Sequence, residues 1–264
     1  MYQIGWFSTG RGKGSRDLLT IAHQSMHQGK LKATIPFVFC SREAGDAPGS
    51  DQFIELVKSC GIPLVCFSSR RFDRQKKRES PDEWRLLYDR EVMKRLEGFP
   101  HDLCILAGYM LVVGREMCHK YKMVNLHPAA PGGPKGTWQE VIWQLIEDKA
   151  QSTGAMMHLV TPELDQGPPV AYCTFAIRGG PFDRHWKEIE GLSVDQIKSR
   201  QGEDNALFKL IRQHGVVREH PLVLSTINAF SQGYVRIEGE SVVDSNGKLI
   251  PGYDLTEEID RLVK

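Results

Sequence analysis

The chain has 264 residues, 41% of them apolar, which suits one large α/β domain or a core with appendages. Its 34 Lys and Arg stand against 33 Asp and Glu, so no global charge draws it to nucleic acid or to a membrane. The longest nearly apolar stretch, around Leu103 to Val113, is too short to span a bilayer. No signal-peptide core precedes the first strand, and the expectation is a cytoplasmic protein.

Apolar runs alternate with helix-period segments over the first two thirds, the pattern of a parallel sheet with crossover helices. Tyr2 to Ser8 reads as the first strand, followed by a glycine loop and a helix from Ser15 to Gln28. Thr34 to Cys40 is a second strand, Ser50 to Cys60 a helix, and Leu64 to Phe67 a short third strand. The basic run Arg70 to Arg78 could touch RNA or phosphate, but with Asp73 inside it and near-zero net charge overall it reads as a mobile loop. Ser80-Pro81-Asp82-Glu83 has the composition of a helix start, with Ser80 as cap and Glu83 reaching back to it, and the helix runs to Leu96. Leu103 to Ala107, Met123 to His127, Ala155 to Val160 and Val170 to Ile177 read as further strands, with a helix from Thr137 to Asp148.

Charged helical segments fill Asp183 to Gln213, with Ser193 as a cap, and a separate helix is expected at Leu222 to Phe230. Tyr234 to Glu238, Ser241 to Val243 and Lys248 to Ile250 suggest an antiparallel hairpin with Asn246-Gly247 as turn chemistry. The fold expected is therefore α/β and Rossmann-like: a mostly parallel open sheet with helices on both faces and a small C-terminal hairpin. Residues 1–264 read as one domain, with a core over 1–178 and a helical and hairpin extension over 179–264.

Three places carry polar chemistry. The loop Thr9-Gly10-Arg11-Gly12-Lys13-Gly14-Ser15-Arg16 lies between a first strand and a first helix, where backbone amides and the helix N-terminus attract phosphate. It is neither a Walker loop nor a true GxGxxG, and a flexible turn explains it equally well. Asn125 and His127 stand two apart on a strand that Pro128 ends, so both side chains share a face at its carboxyl edge. An imidazole beside a carboxamide suits a carbonyl oxygen gaining negative charge, although polar strand-end residues bonded to a loop would look the same. Asp165, in Glu163-Leu164-Asp165-Gln166-Gly167-Pro168, could orient such an imidazole, or belong to an ordinary acidic turn. The six cysteines contain no CxxC pair and read as buried apolar residues. His23 and His27 have ligand spacing on a helix, but no third ligand is signalled, and no metal is expected.

Tyr88-Asp89-Arg90-Glu91, Asp102 to Met110 (DLCILAGYM), Val124 to Pro128 (VNLHP) and Gly154 to Pro168 ending in ELDQGP follow one another in order. In this the chain resembles the folate-dependent formyltransferases over roughly residues 1–175, most closely the branch that formylates glycinamide ribonucleotide in purine synthesis. The resemblance implies 10-formyltetrahydrofolate as cosubstrate and small molecules as partners, with homodimerisation left open. It implies that Asn125 and His127 stabilise the formyl oxygen and that Asp165 supports His127 and helps move the amine proton. Folate would meet Arg85, the backbone of Met110, Leu111, Val112 and Val113, Asn125 and Glu163, while Gly14, Ser15 and Arg16 would hold the acceptor phosphate.

Departures from the family pattern fall on both sides, and leave the donor chemistry better matched than the acceptor. Arg16 stands where asparagine is usual, Leu111 where arginine is usual, and Ala129 to Gly136 replaces a Leu-Leu-Pro loop. A late acidic residue has no secure match, Glu219 being nearest in kind. Alternatives are another phosphorylated amine as acceptor, or hydrolysis of the formyl donor. A nicotinamide-dependent oxidoreductase, suggested by the glycine loop and Ser41-Arg42, would leave Asn125, His127 and Asp165 without a task.

Overall fold

The computed structural model describes residues 1–264. In chain order its elements are β1 (Tyr2–Ser8), α1 (Lys13–His27), β2 (Ala33–Cys40), α2 (Pro48–Ser59), β3 (Leu64–Cys66), α3 (Arg74–Glu79) and α4 (Pro81–Arg95). There follow β4 (Leu103–Leu106), α5 (Arg115–Lys120), β5 (Met123–His127), α6 (Trp138–Glu147), β6 (Ser152–Leu159), β7 (Pro169–Ala176), α7 (Pro181–Glu188) and α8 (Val194–Arg200). The chain ends with α9 (Ala206–Ser231), β8 (Val235–Glu238), β9 (Ser241–Asp244), β10 (Tyr253–Asp254) and α10 (Thr256–Leu262). These elements build two compact units, one of Met1–Asn125, Leu159–Pro168 and Ile227–Leu249, the other of Leu126–His158, Pro169–Thr226 and Ile250–Lys264.

In the first unit the strands lie in the order β3, β2, β1, β4, β5, and each neighbouring pair is parallel. Parallel strands are covered on both faces and read as continuous apolar runs; all four residues of β4 are buried. Phe7, Phe37, Phe39, Cys104 and Leu106 pack with Trp84, Tyr88 and Val92 of α4 and Met117 of α5. Alternation along β1 turns Ile4 and Trp6 to the opposite face, and α1 and α2, lying against β2 and β3, bury Leu18, Leu19, Phe53 and Val57. Each such side chain contributes roughly 1.5–3 kcal/mol by leaving water. β8 and β9 form a separate antiparallel hairpin.

The second unit pairs β6 and β7 antiparallel and adds β10 parallel to β7. Its core joins Val141, Ile142 and Leu145 of α6 to Phe175, Phe182, Trp186, Leu207 and Phe208. α6 opens on a capping box in which Thr137 accepts from the Glu140 amide and Glu140 accepts from the Thr137 amide. The open, mostly parallel sheet and the small hairpin match the expectation.

Local expectations failed at four places. Arg74–Glu79 within the basic run is a helix, because Asp73 caps it by accepting from the Lys76 amide at 2.9 Å. Ser80 makes no side-chain cap bond on α4: its backbone also closes α3, and Glu83 is drawn to Lys76 at 2.7 Å instead. Leu222 to Phe230 is not a separate helix, since α9 runs through Pro221. The proline removes the bond to the Val217 carbonyl, and it does so at a turn of the helix where Val217 is 46% exposed. Lys248 to Ile250 forms only a bridge from Leu249 to Val243, because the Asp244 carboxylate accepts the Asn246 and Lys248 amides and holds them in a turn. Asn246-Gly247 does turn the chain back, with the Gly247 amide on the Asp244 carbonyl at 3.1 Å, while β8 and β9 are joined at Gly239–Glu240.

Candidate active site

The glycine loop is pinned from behind by the carboxyl end of β4. The Thr9 amide donates to the Gly108 carbonyl at 3.0 Å, the Ser8 hydroxyl to the Ala107 carbonyl at 2.8 Å, and the Met110 amide to Thr9 Oγ1 at 2.9 Å. Gly12 precedes α1 in extended geometry without a side-chain cap, so the first amides of the helix have no capping side chain. Gly14 is exposed while Ser15 is buried, its hydroxyl occupying the space a β-carbon on Gly108 would need. Gly108 also has φ +69°, a left-handed conformation open to glycine. Arg16 leans toward α2 and reaches the Gly49 carbonyl at 3.4 Å.

The YDRE motif acquires a structural reason. Tyr88 donates to the Phe67 carbonyl at 2.7 Å, the Asp89 carboxyl accepts the Gly114 amide at 2.6 Å, and Arg90 forms a fork on Glu116 at 2.8 and 2.6 Å. Three consecutive residues thereby tie α4 to the segments after β3 and β4. Asp89 is buried, and burial lifts its carboxyl from 3.8 to about 7, against the pull of the Gly114 amide and Arg85. Arg85 lays its stem along Gly114 and pairs with Asp82 at 3.5 Å. Of the segment expected to meet folate, Met110 is 55% exposed, Leu111 and Val112 are half-buried and Val113 is buried. The Met110 amide is committed to Thr9, so its side chain and carbonyl are what it offers outward.

β5 ends at His127, as Pro128 requires, and Asn125 pairs with Leu106 of β4 in parallel register. Asn125 is half-buried and His127 is 2% exposed. Period-two geometry puts both on one face. The His127 Nε2 hydrogen goes to the Pro134 carbonyl at 2.9 Å; a carbonyl only accepts, so Nε2 is the donor in this bond. The carbonyl is brought there by a turn closed from the Gly133 amide to Ala130 at 2.9 Å, which is what the sequence Ala129 to Gly136 encodes. His158 stands edge-on to His127 with ring centroids 6.1 Å apart, a neighbour that sequence reasoning missed, although its place at the end of a strand was visible.

Asp165 lies in the loop between β6 and β7 with φ +52°, which aspartate tolerates better than most residues. The loop is braced by the Thr161 hydroxyl on the Glu163 carbonyl at 3.0 Å and by Leu159 donating to Pro168 at 2.9 Å. A β-carbon on Gly167 would run into the Leu159 carbonyl, so this loop closes only with glycine there. Glu163 is exposed and Asp165 half-buried. In the second unit, Glu219 pairs with Arg212 at 2.5 Å, and both line a cavity with Pro128, Trp138 and Thr153. The Thr153 hydroxyl there is buried and has no partner.

A strand ending in a carboxamide and an oriented imidazole is equipped to polarise a carbonyl and move a proton. The model of the formyl transferase family matches residues 11–178, more than half of the chain. The chain belongs to that family. A phosphoribosylglycinamide formyltransferase of Escherichia coli is 26% identical to this formyl transferase over 185 residues, 69% of this chain and 74% of the relative. The solved phosphoribosylglycinamide formyltransferase of Coxiella burnetii shares its fold with a TM-score of 0.66 at 18% identity, over 96% of this chain and 98% of that one. A formyltetrahydrofolate deformylase from Burkholderia mallei also has this fold, with a TM-score of 0.61 at 18% identity, over 92% of this chain and 69% of that one. Fold alone therefore does not choose between transfer and hydrolysis. No helix is long and apolar enough to cross a membrane.

Proposed function

We propose that the chain transfers the formyl group of 10-formyltetrahydrofolate to the primary amine of glycinamide ribonucleotide. The observation that carries this reading is Asn125 and His127 sharing one face at the end of β5, with the His127 ring oriented through Nε2, in a chain of the formyl transferase family. The amine nitrogen attacks the formyl carbon, the bond to N10 of folate breaks, and the amine proton ends on N10. A formamide and tetrahydrofolate are the products. Asn125 donates its amide hydrogens to the oxygen as it becomes negative, and His127 in its charged form stabilises the same oxygen. Asp165 accepts the proton the amine must lose.

Arg85, Met110, Leu111, Val112, Val113 and Glu163 border the folate in this reading, and Gly14, Ser15 and Arg16 hold the acceptor phosphate. The uncapped start of α1 supports the second assignment, since its amides are oriented for an anion. Its partners are small molecules, its location is cytoplasmic, and a homodimer is the assembly to look for. The test is to incubate the protein with 10-formyltetrahydrofolate and a panel of phosphorylated amines while following tetrahydrofolate release. Turnover that requires glycinamide ribonucleotide supports the reading. Release at the same rate without any amine overturns it in favour of hydrolysis.

A further inference from the structure

The carboxyl ends of β2 and β3 carry a group of cations that formyl transfer does not use. The backbone there continues in register, with Ser69 donating to the Ser41 carbonyl at 3.1 Å, and Ser41, Ser68 and Ser69 are buried. Arg42 sends Nη1 to the Ser41 carbonyl at 3.0 Å and to the Ser69 hydroxyl. Lys77 donates to the Ser69 carbonyl at 3.1 Å and lies 4.2 Å from the centre of the Trp84 ring. Arg70 reaches the Asp46 carbonyl at 2.9 Å. All three cations thus bond to neutral acceptors.

The two carboxylates nearby are engaged elsewhere. Arg71 holds Asp46 at 2.8 Å and Glu43 at 3.3 Å; Asp46 also accepts the Ser68 hydroxyl at 2.6 Å and the Glu43 amide at 3.0 Å. Asp46 still attracts Arg42. Arg42, Arg70 and Lys77 therefore have no carboxylate bonded to them, which leaves positive charge for an anion such as phosphate to neutralise. Burial, and after it the mutual repulsion of Arg42, Arg70 and Lys77, pushes Arg42 and Lys77 below their ordinary values, which is the cost of crowding like charges. An anion would relieve that cost.

The position is one where ligands bind. Carboxyl edges of parallel strands line the binding crevice of open α/β sheets, and a basic residue after the second strand is a recurrent phosphate contact. Here the edge is continuous with the glycine loop, since Thr9 and Ser41 share a hydrogen bond between hydroxyls at 2.9 Å.

We propose that Arg42, Arg70 and Lys77 form a second anion site, distinct from the glycine loop, that takes a phosphate group as a monoester or as inorganic phosphate. The site goes beyond the formyl-transfer reading and does not rest on it. It gives the basic run after β3, and Arg42 after β2, a common purpose.

The test separates the two phosphate sites by disabling the loop. The full-length Ser15→Ala/Arg16→Ala protein is titrated with inorganic phosphate and with ribose 5-phosphate, followed by calorimetry at constant ionic strength. Saturable binding is expected, and adding Arg42→Gln with Lys77→Met should weaken it on the order of tenfold for each cation removed. Arg42→Lys should retain most of the affinity, and circular dichroism checks that each variant is folded. Tighter binding of the sugar phosphate assigns an ester ligand, and the reverse order assigns free phosphate; either supports the site. No saturable binding in the loop-disabled protein, or binding untouched by the Arg42 and Lys77 changes, overturns it.

Discussion

His127 gives its Nε2 hydrogen to the backbone carbonyl of Pro134 at 2.9 Å, and that bond sets the ring on which the proposed chemistry depends. The partner is main chain, so what specifies it is the turn of Ala130 to Gly133 and not the side chain of residue 134.

Orientation and proton chemistry at this position are separable. His127→Gln keeps an N–H able to reach Pro134 but has no titratable nitrogen, so it should melt near wild type and lose roughly 10²–10⁴ in kcat. His127→Ala leaves the carbonyl without its donor and should cost a further ~1–3 kcal/mol of stability. Melting curves alongside formyl-transfer rates distinguish the two, and a Gln variant with near-normal kcat would remove His127 from the chemistry.

Asp165→Asn is the matching test for the acidic loop. Asparagine adopts positive φ as readily as aspartate, so the backbone at φ +52° should survive. Turnover should fall roughly 10²–10⁴-fold with little change in the KM for folate. Asp165→Ala should add a stability loss of about 1 kcal/mol, because alanine in that conformation is strained. Full activity in the Asn variant would show that the carboxylate only shapes the loop.

Ser15 and Gly108 predict strong non-additivity. Gly108→Ala places a β-carbon on the Ser15 hydroxyl and strains a backbone at φ +69°. Overpacking and strain together should cost on the order of 2–5 kcal/mol. Ser15→Ala added to it removes the overlap, because the Ser15 β-carbon stands 3.5 Å away, and only the strain should remain. Urea unfolding of both singles and the double completes the cycle; simple additivity would mean the two residues do not meet.

Asp89 makes stability depend on pH in the opposite sense to most carboxylates. Burial raises its carboxyl to about 7, so the folded chain holds this proton more tightly than the unfolded one, where 3.8 applies. The contribution is fully present below about pH 4 and is lost as pH rises toward 7. Asp89→Asn preserves an acceptor for the Gly114 amide without the charge, and should flatten that slope and gain on the order of 2–4 kcal/mol at pH 8. Superimposable pH profiles of Tm for the two proteins would contradict the assignment.

Much of this molecule is decided by interactions within a few residues, and those are readable in the chain. Met123 to His127 is a strand with Pro128 as its stop, and Ser193 caps α8 through a reciprocal bond with Gln196, because partners three residues apart meet whatever the rest of the fold does. The alternation of apolar runs with amphipathic helices similarly implies a parallel sheet, whose buried strands cannot be polar. The motif order from YDRE to ELDQGP carried the family and its chemistry. Where two local options compete, however, the sequence leaves the choice open. Glu83 could cap α4 or pair with Lys76; Pro221 could end a helix or lie at an exposed turn of one; Arg70 to Arg78 could be a loop or a capped helix. Tertiary structure decides them, because only folding sets which partner is nearer and which turn of a helix is exposed. The same holds for the site. The sequence by itself put Asn125 and His127 on one strand face, but the Pro134 carbonyl that orients the ring, the Ser15 hydroxyl under Gly108 and the gathering of Arg42, Arg70 and Lys77 join residues whose separation along the chain carries no signal of their meeting in space.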